Sequence, residues 1–200
     1  MITISINIAI CEYDLEQQNI LRKSIDDVFT NSKYNPEVNV YSTGENLINN
    51  YSDDTDIYIL DMELYNEDGL EIAKKIREVN QDCEIVFVAF LQDRVQEGYE
   101  VGAFDYLFLP VSMDELRHTM YRCAEKIEKC RKNHKVLIED ENKNLYVIKI
   151  NSILCIDKID TTRIRIYTND REITIKKNVS LIGEILNEYS IHMAKQSKDE

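Results

Sequence analysis

Short apolar runs alternate with helix-spaced segments throughout residues 1–135, and this rhythm limits the possible folds more than any other feature. Five runs predict strands: Ile4–Cys11, Val38–Tyr41, Ile57–Leu60, Ile85–Phe90 and Tyr106–Leu109. Five further segments predict helices: Leu15–Phe29, Glu45–Tyr51, Leu70–Val79, Asp93–Val101 and Met113–Arg131. Strands that alternate with helices form βαβ units, which build a parallel sheet covered on both faces. We therefore expect a five-stranded, doubly wound α/β domain with its functional site at the carboxyl ends of the strands.

The alternation of predicted strands and helices ends near residue 135. Beyond it the pattern predicts short strands joined by polar turns, followed by one helix: Val136–Glu139, Leu145–Ile150, Ile153–Ile156, Ile164–Thr168 and Ile173–Lys176, then Leu181–Tyr189. Residues 136–200 hold 10 of the 24 basic and 11 of the 37 acidic residues, so the acidic excess lies before them. We expect one domain over residues 1–125, a helix end and linker over 126–135, and a small, mostly β module over 136–200.

Composition excludes several classes of protein. The longest unbroken apolar stretch, Ile85–Leu91, is far shorter than the roughly 18 residues of a membrane-spanning helix, and the N-terminus lacks the basic region of an export signal. Five cysteines without a C-x-x-C pair, and only three histidines, argue against a disulfide framework or a zinc site. A net charge of −13 argues against a general nucleic-acid coat. We expect a cytoplasmic protein with no membrane partner.

Three acidic residues fall at predicted carboxyl ends of strands. Glu12 and Asp14 follow the first strand, and Asp61 follows the third. Carboxylates gathered at one place repel one another unless a cation offsets them, and oxygen ligands of this kind suit Mg²⁺. Asp61 is then a candidate nucleophile that would form an acyl phosphate. The alternative is that each is an ordinary solvated carboxylate in an acidic protein.

Residues 1–125 resemble the receiver domain of two-component response regulators. The resemblance rests on DIYILDMELYNEDGL, residues 56–70, and on GAFDYLFLP, residues 102–110. It implies a flavodoxin-like strand order, a sensor histidine kinase as partner and a homodimer formed through the receiver. It also implies that Asp61 is the phospho-acceptor, that Glu12 belongs to the acidic pocket, and that the Glu63 backbone carbonyl helps to hold Mg²⁺.

Three positions depart from the pattern of that family. Tyr13 stands where the family has a second acidic residue that ligates Mg²⁺, and a phenol with a pKa of about 10 is a poor ligand at neutral pH. Ala89 stands at the position of a Ser or Thr that follows the phosphoryl group, and Leu109 stands at that of a Lys. We therefore expect a degenerate pocket with weakened Mg²⁺ binding.

Two further features of the resemblance concern the end of the domain. It implies that the Leu109–Pro110 peptide is cis. Tyr106 falls at the position of the aromatic switch residue of the family. The alternative for Tyr106 is simple packing, since aromatic residues are common on strands.

Residues 136–200 are similar to the first part of a LytTR-type DNA-binding domain. The similarity rests on the predicted strand at residues 151–156, the hairpin at 162–169 and the helix Leu181–Tyr189. It implies promoter DNA as a partner, with a base-reading loop that contains Thr161, Thr162 and Arg163, and phosphate contacts from Lys176 and Lys177. Otherwise these cations are solvated residues of a half-exposed sheet.

Three functional hypotheses follow. The first is a response regulator that controls transcription through the LytTR-type module. The second is a phosphorylation-independent pseudo-receiver that acts through protein–protein contacts or dimerisation without binding DNA. The third is a small phosphatase-like hydrolase that uses Asp61 and Glu63, although such an enzyme normally has a phosphate-binding Lys and a nucleophile on its first strand. We expect no enzymatic activity.

Overall fold

The predicted alternation produces a parallel sheet. The strands of the first part of the chain are β1 (Ile4–Cys11), β2 (Tyr34–Tyr41), β3 (Ile57–Asp61), β4 (Glu63–Leu64), β5 (Glu67–Asp68), β6 (Glu84–Ala89) and β7 (Asp105–Phe108). Five of them pair in parallel in the order β2-β1-β3-β6-β7, while β4 and β5 form a separate small hairpin. The predicted α/β fold and its flavodoxin-like strand order are confirmed.

The computed structural model describes residues 4–90, 94–133, 135–149 and 152–176. The chain divides into two compact units, Met1–Lys126 and Ile127–Glu200, each with its own buried core. The predicted helix over Leu181–Tyr189 lies outside the described residues.

Four α-helices follow their predicted segments with ends displaced by no more than two residues: α1 (Leu15–Phe29), α2 (Gly44–Asn49), α3 (Gly69–Val79) and α4 (Met113–Asn133). The fifth predicted helix, over Asp93–Val101, is instead a 3₁₀ segment over Val95–Val101. Two valines and Gly98 give this segment a low helix propensity, and Gly102 ends it in the left-handed conformation with φ of 58°. Among the described residues, no helix is long and apolar enough to cross a membrane.

Helix α1 illustrates how local sequence determines the ends and the buried face of a helix. The Asp14 carboxylate caps it by accepting two backbone N–H groups of the first turn, each at 2.9 Å. Leu21, Ile25 and Val28 are spaced to lie on one face, and each is at most 3% exposed. Beyond the helix, Asn31 adopts a positive φ of 61°, which reverses the chain towards β2.

The central strand β3 is buried along its whole length. Tyr58 and Leu60 pack in one cluster with side chains of α2 and α3, while Ile57 and Ile59 point to the opposite face of the sheet. Burial on both faces explains why this strand is a continuous apolar run in the sequence.

The second unit consists of antiparallel strands. β8 (Lys135–Glu139) and β9 (Leu145–Lys149) form a hairpin, and β10 (Ile153–Lys158), β11 (Arg163–Thr168) and β12 (Glu172–Lys176) form a three-stranded sheet. Alternate residues of both sheets share one core: Val136, Ile138, Ile148, Ile153, Ile156, Ile164, Ile166, Ile173 and Ile175. The mostly β character predicted beyond residue 135 is confirmed.

Candidate functional site

The carboxyl ends of β1, β3 and β6 meet at one edge of the parallel sheet. Cys11, at the end of β1, is in register with Leu60 of β3, and Asp61 is in register with Val88 of β6. Glu12 directly follows β1, so it lies beside Asp61, the last residue of β3. The structure thus brings two of the three predicted strand-end carboxylates together.

Asp61 is a buried carboxylate with a fixed orientation. The residue is 7% exposed, and its Oδ1 accepts the Glu63 backbone N–H at 2.9 Å. Burial raises the pKa of Asp61; the hydrogen bond opposes this shift, and the nearby Glu63 charge adds to it. A Cβ at Gly69 would overlap the Asp61 carbonyl oxygen, so the chain after β5 approaches Asp61 at a position where only glycine fits.

Glu12 is still more deeply buried, at 2% exposure, and its Oε1 accepts the Asp14 N–H at 2.9 Å. The pKa of Glu12 is raised to about 7, chiefly by burial and also by the charges of Asp61 and Asp14, while the hydrogen bond from the Asp14 backbone opposes the shift. Within the described part of the chain, no Lys, Arg or His side chain is paired with either Glu12 or Asp61. The pocket is therefore an acidic pair whose ionisation is opposed by burial and by mutual repulsion.

The two residues after Glu12 have other partners. Asp14, expected in the acidic pocket, is exposed and uses its Oδ1 to cap α1. The Tyr13 side chain is half exposed, and its ring centroid lies 6.5 Å from that of Tyr65 in the turn between β4 and β5. The structure therefore leaves Asp14 outside the carboxylate pair, because the helix start requires its side chain.

The donor set for a divalent cation is correspondingly small. Of the predicted ligands, the Glu12 and Asp61 carboxylates lie near each other, and the third would be the backbone carbonyl of Glu63. Across residues 4–90, 94–133, 135–149 and 152–176, no group of three or more His, Cys, Asp or Glu side chains is arranged to hold a metal ion. Mg²⁺ keeps several water ligands in proteins, so one or two carboxylates from the chain are enough to bind it; the second acidic residue that the resemblance implies is replaced here by Tyr13.

Ala89 and Leu109, the other two positions that depart from the family pattern, are neighbours at the same edge of the sheet. Ala89 ends β6, and the Leu109 backbone N–H donates to the Ala89 carbonyl at 3.0 Å. Neither side chain has a hydrogen-bond donor or a charge to offer a phosphoryl oxygen. The Leu109–Pro110 peptide is cis, as the resemblance implies.

Tyr106, on the edge strand β7, points inward under the 3₁₀ segment. Its ring stacks on Phe87 with centroids 5.3 Å apart, and burial raises the pKa of its hydroxyl. A Cβ at Gly98 would overlap that hydroxyl. Packing against Phe87 and Gly98 therefore holds Tyr106 in an inward position.

Two contacts beside the pocket could not be predicted from the sequence. The Arg94 guanidinium binds the carboxylates of Asp68 and Glu97, each at 2.8 Å, and so joins the start of the 3₁₀ segment to the residue that caps α3. The Glu67 carboxylate accepts the backbone N–H of Gly44 at 2.7 Å and thereby adds a second cap to α2. These partners lie 26 and 23 residues apart in the chain, a separation that no periodic pattern reveals.

In the second unit, the proposed base-reading loop is organised by an acidic residue. Asp160 Oδ1 accepts the backbone N–H groups of Thr162 and Arg163 at 2.8 and 2.9 Å, and Thr161, between Asp160 and Thr162, is exposed. The Arg163 guanidinium binds Asp160 Oδ2 at 2.7 Å and is 3.8 Å from Glu141. Arg163 is therefore neutralised by neighbouring carboxylates.

The proposed phosphate contacts lie near this loop. Lys176 is exposed and stands directly opposite Arg163 in the pairing of β11 with β12. The two predicted cations are thus neighbours on one face of the sheet. Lys177 lies outside the described residues.

A protein-family model identifies the first unit. The model for the response regulator receiver domain matches residues 15–121, which is more than half of the chain. The chain belongs to this family. Asp61, at the end of the central receiver strand, lies within the matched residues.

Curated relatives of this receiver have regulatory names. The transcriptional regulatory protein RprY of Bacteroides fragilis is 33% identical over 63 residues, covering 30% of this chain and 27% of that protein. The sensory transduction protein LytR of Staphylococcus saprophyticus is 21% identical over 124 residues, covering 52% and 49%. The sensory transduction protein LytT of Oceanobacillus iheyensis is 26% identical over 163 residues, covering 77% and 65%. The chain spans less than two thirds of each of these relatives.

Solved structures share the receiver fold. The BeF3-activated DrrB receiver domain has a TM-score of 0.52 and 27% identity, covering 61% of this chain and 99% of that chain. The response regulator TrrA of Thermotoga maritima, in complex with Mg²⁺ and BeF, has a TM-score of 0.52 and 20% identity, covering 59% and 98%. The second likeness concerns the fold alone.

Proposed function

We propose that this protein is a response regulator of two-component signalling that controls transcription. In this proposal the degenerate receiver pocket governs a LytTR-type DNA-binding module formed by residues beyond 135. Asp61 is the observation that carries the proposal, because it is a buried carboxylate at the end of the central strand of a receiver. The names of the LytR and LytT relatives support the transcriptional part.

Asp61 is the proposed phospho-acceptor, and a sensor histidine kinase is the proposed donor. Attack of an Asp61 carboxylate oxygen on the phosphorus of a phosphohistidine would form the acyl phosphate and release the imidazole. The product places additional negative charge beside Glu12, with no Lys in the position of Leu109 to neutralise it. Mg²⁺, when bound, supplies that neutralisation. We therefore propose that phosphorylation is slow compared with that of a receiver that has the full set of pocket residues.

The test is intact mass spectrometry after incubation with acetyl phosphate, with and without Mg²⁺. The proposal predicts one phosphoryl group on the wild-type chain, slower than on the DrrB receiver domain, and none on Asp61→Asn. Leu109→Lys is the matched gain-of-function variant and should label faster, since it places an ammonium group next to the acceptor. An equal mass gain in Asp61→Asn would show that another residue is the acceptor.

A pseudo-receiver that works without phosphorylation is the second candidate. The residues Tyr13, Ala89 and Leu109 favour it, because they replace the acidic residue, the Ser or Thr and the Lys that the receiver pattern has at those positions. It predicts no phosphoryl addition to the wild type under conditions that label the control receiver. Control of the second unit would then come from dimerisation or from a protein partner.

DNA binding is tested separately, by fluorescence anisotropy with a mixed-sequence duplex pool at low and high salt. We propose that Arg163 and Lys176 contact DNA, so Arg163→Ala and Lys176→Ala should weaken binding and reduce its dependence on salt. Glu172→Gln, on the same sheet away from the loop, is the control. Failure of the wild type to bind at low salt would favour the second candidate. The hydrolase hypothesis predicts turnover of a generic phosphoester, which we do not expect.

A further inference from the structure

The hairpin of β8 and β9 has an outer face with no partner in the described part of the chain. Alternate residues of both strands point into the buried core, and the intervening ones are exposed: Lys135, Leu137 and Glu139 on β8, and Leu145, Val147 and Lys149 on β9. Leu137, Leu145 and Val147 are 60%, 64% and 65% exposed, and Leu137 stands directly opposite Val147. Contiguous apolar side chains of this kind on a sheet face are typical of an interaction surface.

The two ends of this face carry opposite charges, positive at one end and negative at the other. Lys135 and Lys149 stand directly opposite each other at one end, and Glu139 stands opposite Leu145 at the other. Within the described residues, none of these three charges takes part in an ion pair. Like charges on directly opposed residues are unfavourable, so an external carboxylate at the lysine end would be stabilising.

We propose that this outer face packs against the same face of a second copy of this chain. A two-fold axis that crosses the strands at Leu137 and Val147 places each of these residues on its own counterpart. The rotation reverses the strand direction between the two copies. Lys135 of one copy therefore lies against Glu139 of the other, while a stacking with the strands in the same direction would bring like charges together.

The outer face fits a second copy of this chain better than an unrelated partner, because the face is complementary to itself. Leu137 and Val147 lie in the middle, and opposite charges lie two residues to either side of Leu137. Six side chains from each copy form a patch smaller than the roughly 800 Å² per partner of a stable interface. We therefore expect a concentration-dependent association rather than a permanent dimer.

Disulfide cross-linking of the full chain tests the proposed alignment. In a Cys130→Ser, Cys155→Ser background, which removes the two thiols that are not buried, Leu137→Cys should form a disulfide-linked dimer under mild oxidation. Lys135→Cys is the matched control, since it lies on the same face but away from the axis, and it should not cross-link to itself. A mixture of Lys135→Cys and Glu139→Cys chains should give the mixed dimer.

Charge reversal tests the same contact without a cysteine. Glu139→Lys should raise the dissociation constant measured by sedimentation about tenfold, because two symmetry-related contacts change sign together. The double variant Lys135→Glu, Glu139→Lys should restore it towards the wild-type value. Circular dichroism checks that each variant retains its strands.

Three outcomes would overturn the proposal. A monomer with a reactive thiol at Leu137→Cys would mean that the face has no partner. A monomer with that thiol protected would mean that another segment of the chain covers it. A dimer that fails to cross-link at Leu137→Cys would place the contact on a different surface, such as the receiver.

Discussion

The Tyr106 hydroxyl occupies the space that a side chain at Gly98 would need, and the Tyr106 ring stacks on Phe87 beneath it. We expect Gly98→Ala to reduce the free energy of unfolding by about 1–3 kcal/mol, because the added methyl group displaces the tyrosine. In a Tyr106→Leu background the same change should cost less than about 1 kcal/mol, since the shorter side chain leaves room for the methyl. Differential scanning calorimetry of the four proteins measures this coupling.

Gly102 provides a control for that cycle. It has a positive φ of 58° and nothing within 4 Å of its missing Cβ, so Gly102→Ala strains the backbone without touching Tyr106. Its cost should be the same with Tyr106 or with leucine at position 106. Additive effects of Gly98→Ala and Tyr106→Leu would contradict the contact.

An ion pair between a buried carboxylate and the half-exposed Lys126 ties α4 to the parallel sheet. The Glu84 side chain on β6 is 5% exposed and binds Lys126 Nζ at 2.7 Å. We expect Lys126→Met to lower the free energy of unfolding by about 1–3 kcal/mol, because the Glu84 carboxylate is left buried without its partner. Adding Glu84→Gln should recover part of the loss. Urea denaturation of the three proteins checks this.

An exposed ion pair on α3 is the matched control. Lys74 contacts Glu71 at 2.9 Å and Glu100 at 3.4 Å, and all three side chains are well exposed. Surface pairs contribute little to stability, so Lys74→Met should leave the urea midpoint unchanged. A loss as large as that of Lys126→Met would mean that burial of Glu84 does not decide the effect.

Elements with local signals could be predicted from the sequence to the residue. The bounds of α1 are those expected, because the apolar spacing lies within the segment and the capping residue Asp14 directly precedes it. Strand β2 begins at Tyr34, four residues before the predicted start, because pairing with β1 draws in Asn35, Pro36 and Glu37, whose own strand propensity is low. Tertiary pairing there overrides the local sequence.

In the candidate site, too, some relationships between residues follow from the sequence and others do not. The meeting of Glu12 with Asp61 follows from strand order, which the sequence pattern indicates. Asp14 is a residue type that caps helices and directly precedes α1, a local signal that favours capping over a place in the acidic pocket. The Arg94–Asp68 contact joins segments that are distant in the chain and has no signature in the sequence.

Asp160 is expected to make the stability of the second unit pH-dependent. Hydrogen bonds from the Thr162 backbone and the Arg163 side chain hold the pKa of Asp160 well below its usual range. A carboxyl group with a depressed folded pKa stabilises the fold above its unfolded pKa, and that contribution is lost as the pH falls towards the folded pKa. Asp160→Asn should therefore lower the melting temperature at pH 7, and the difference from wild type should shrink below about pH 4.

The control for this effect is Asp157→Asn in the adjoining strand. Asp157 lies opposite Arg165 and, in the described part of the chain, accepts no hydrogen bond. Its replacement removes a carboxylate from the same sheet without removing a hydrogen bond, so at pH 7 it should lower the melting temperature less than Asp160→Asn does. A pH-independent loss in Asp160→Asn would show that the loop depends on the hydrogen-bonding shape of the side chain rather than on its charge.

The five cysteines offer a chemical test of the two cores. Cys11, Cys83 and Cys123 are buried, Cys155 is partly exposed and Cys130 is exposed on α4. Burial raises the pKa of Cys11 to about 12, and burial likewise raises the pKa of Cys83 and Cys123. The thiolate is the reactive form, so at pH 8 a disulfide reagent should modify Cys130 first, Cys155 more slowly and the other three only after unfolding.

Site-specific variants assign the phases of that reaction. Cys130→Ser should abolish the fast phase, while Cys123→Ser should leave it unchanged and remove one thiol from the count in denaturant. Rapid modification of Cys11 in the folded protein would contradict the structure at its functional edge. Cys11 ends β1 immediately before Glu12, so access of the reagent there would mean that the strand ends open and expose the acidic pair to solvent.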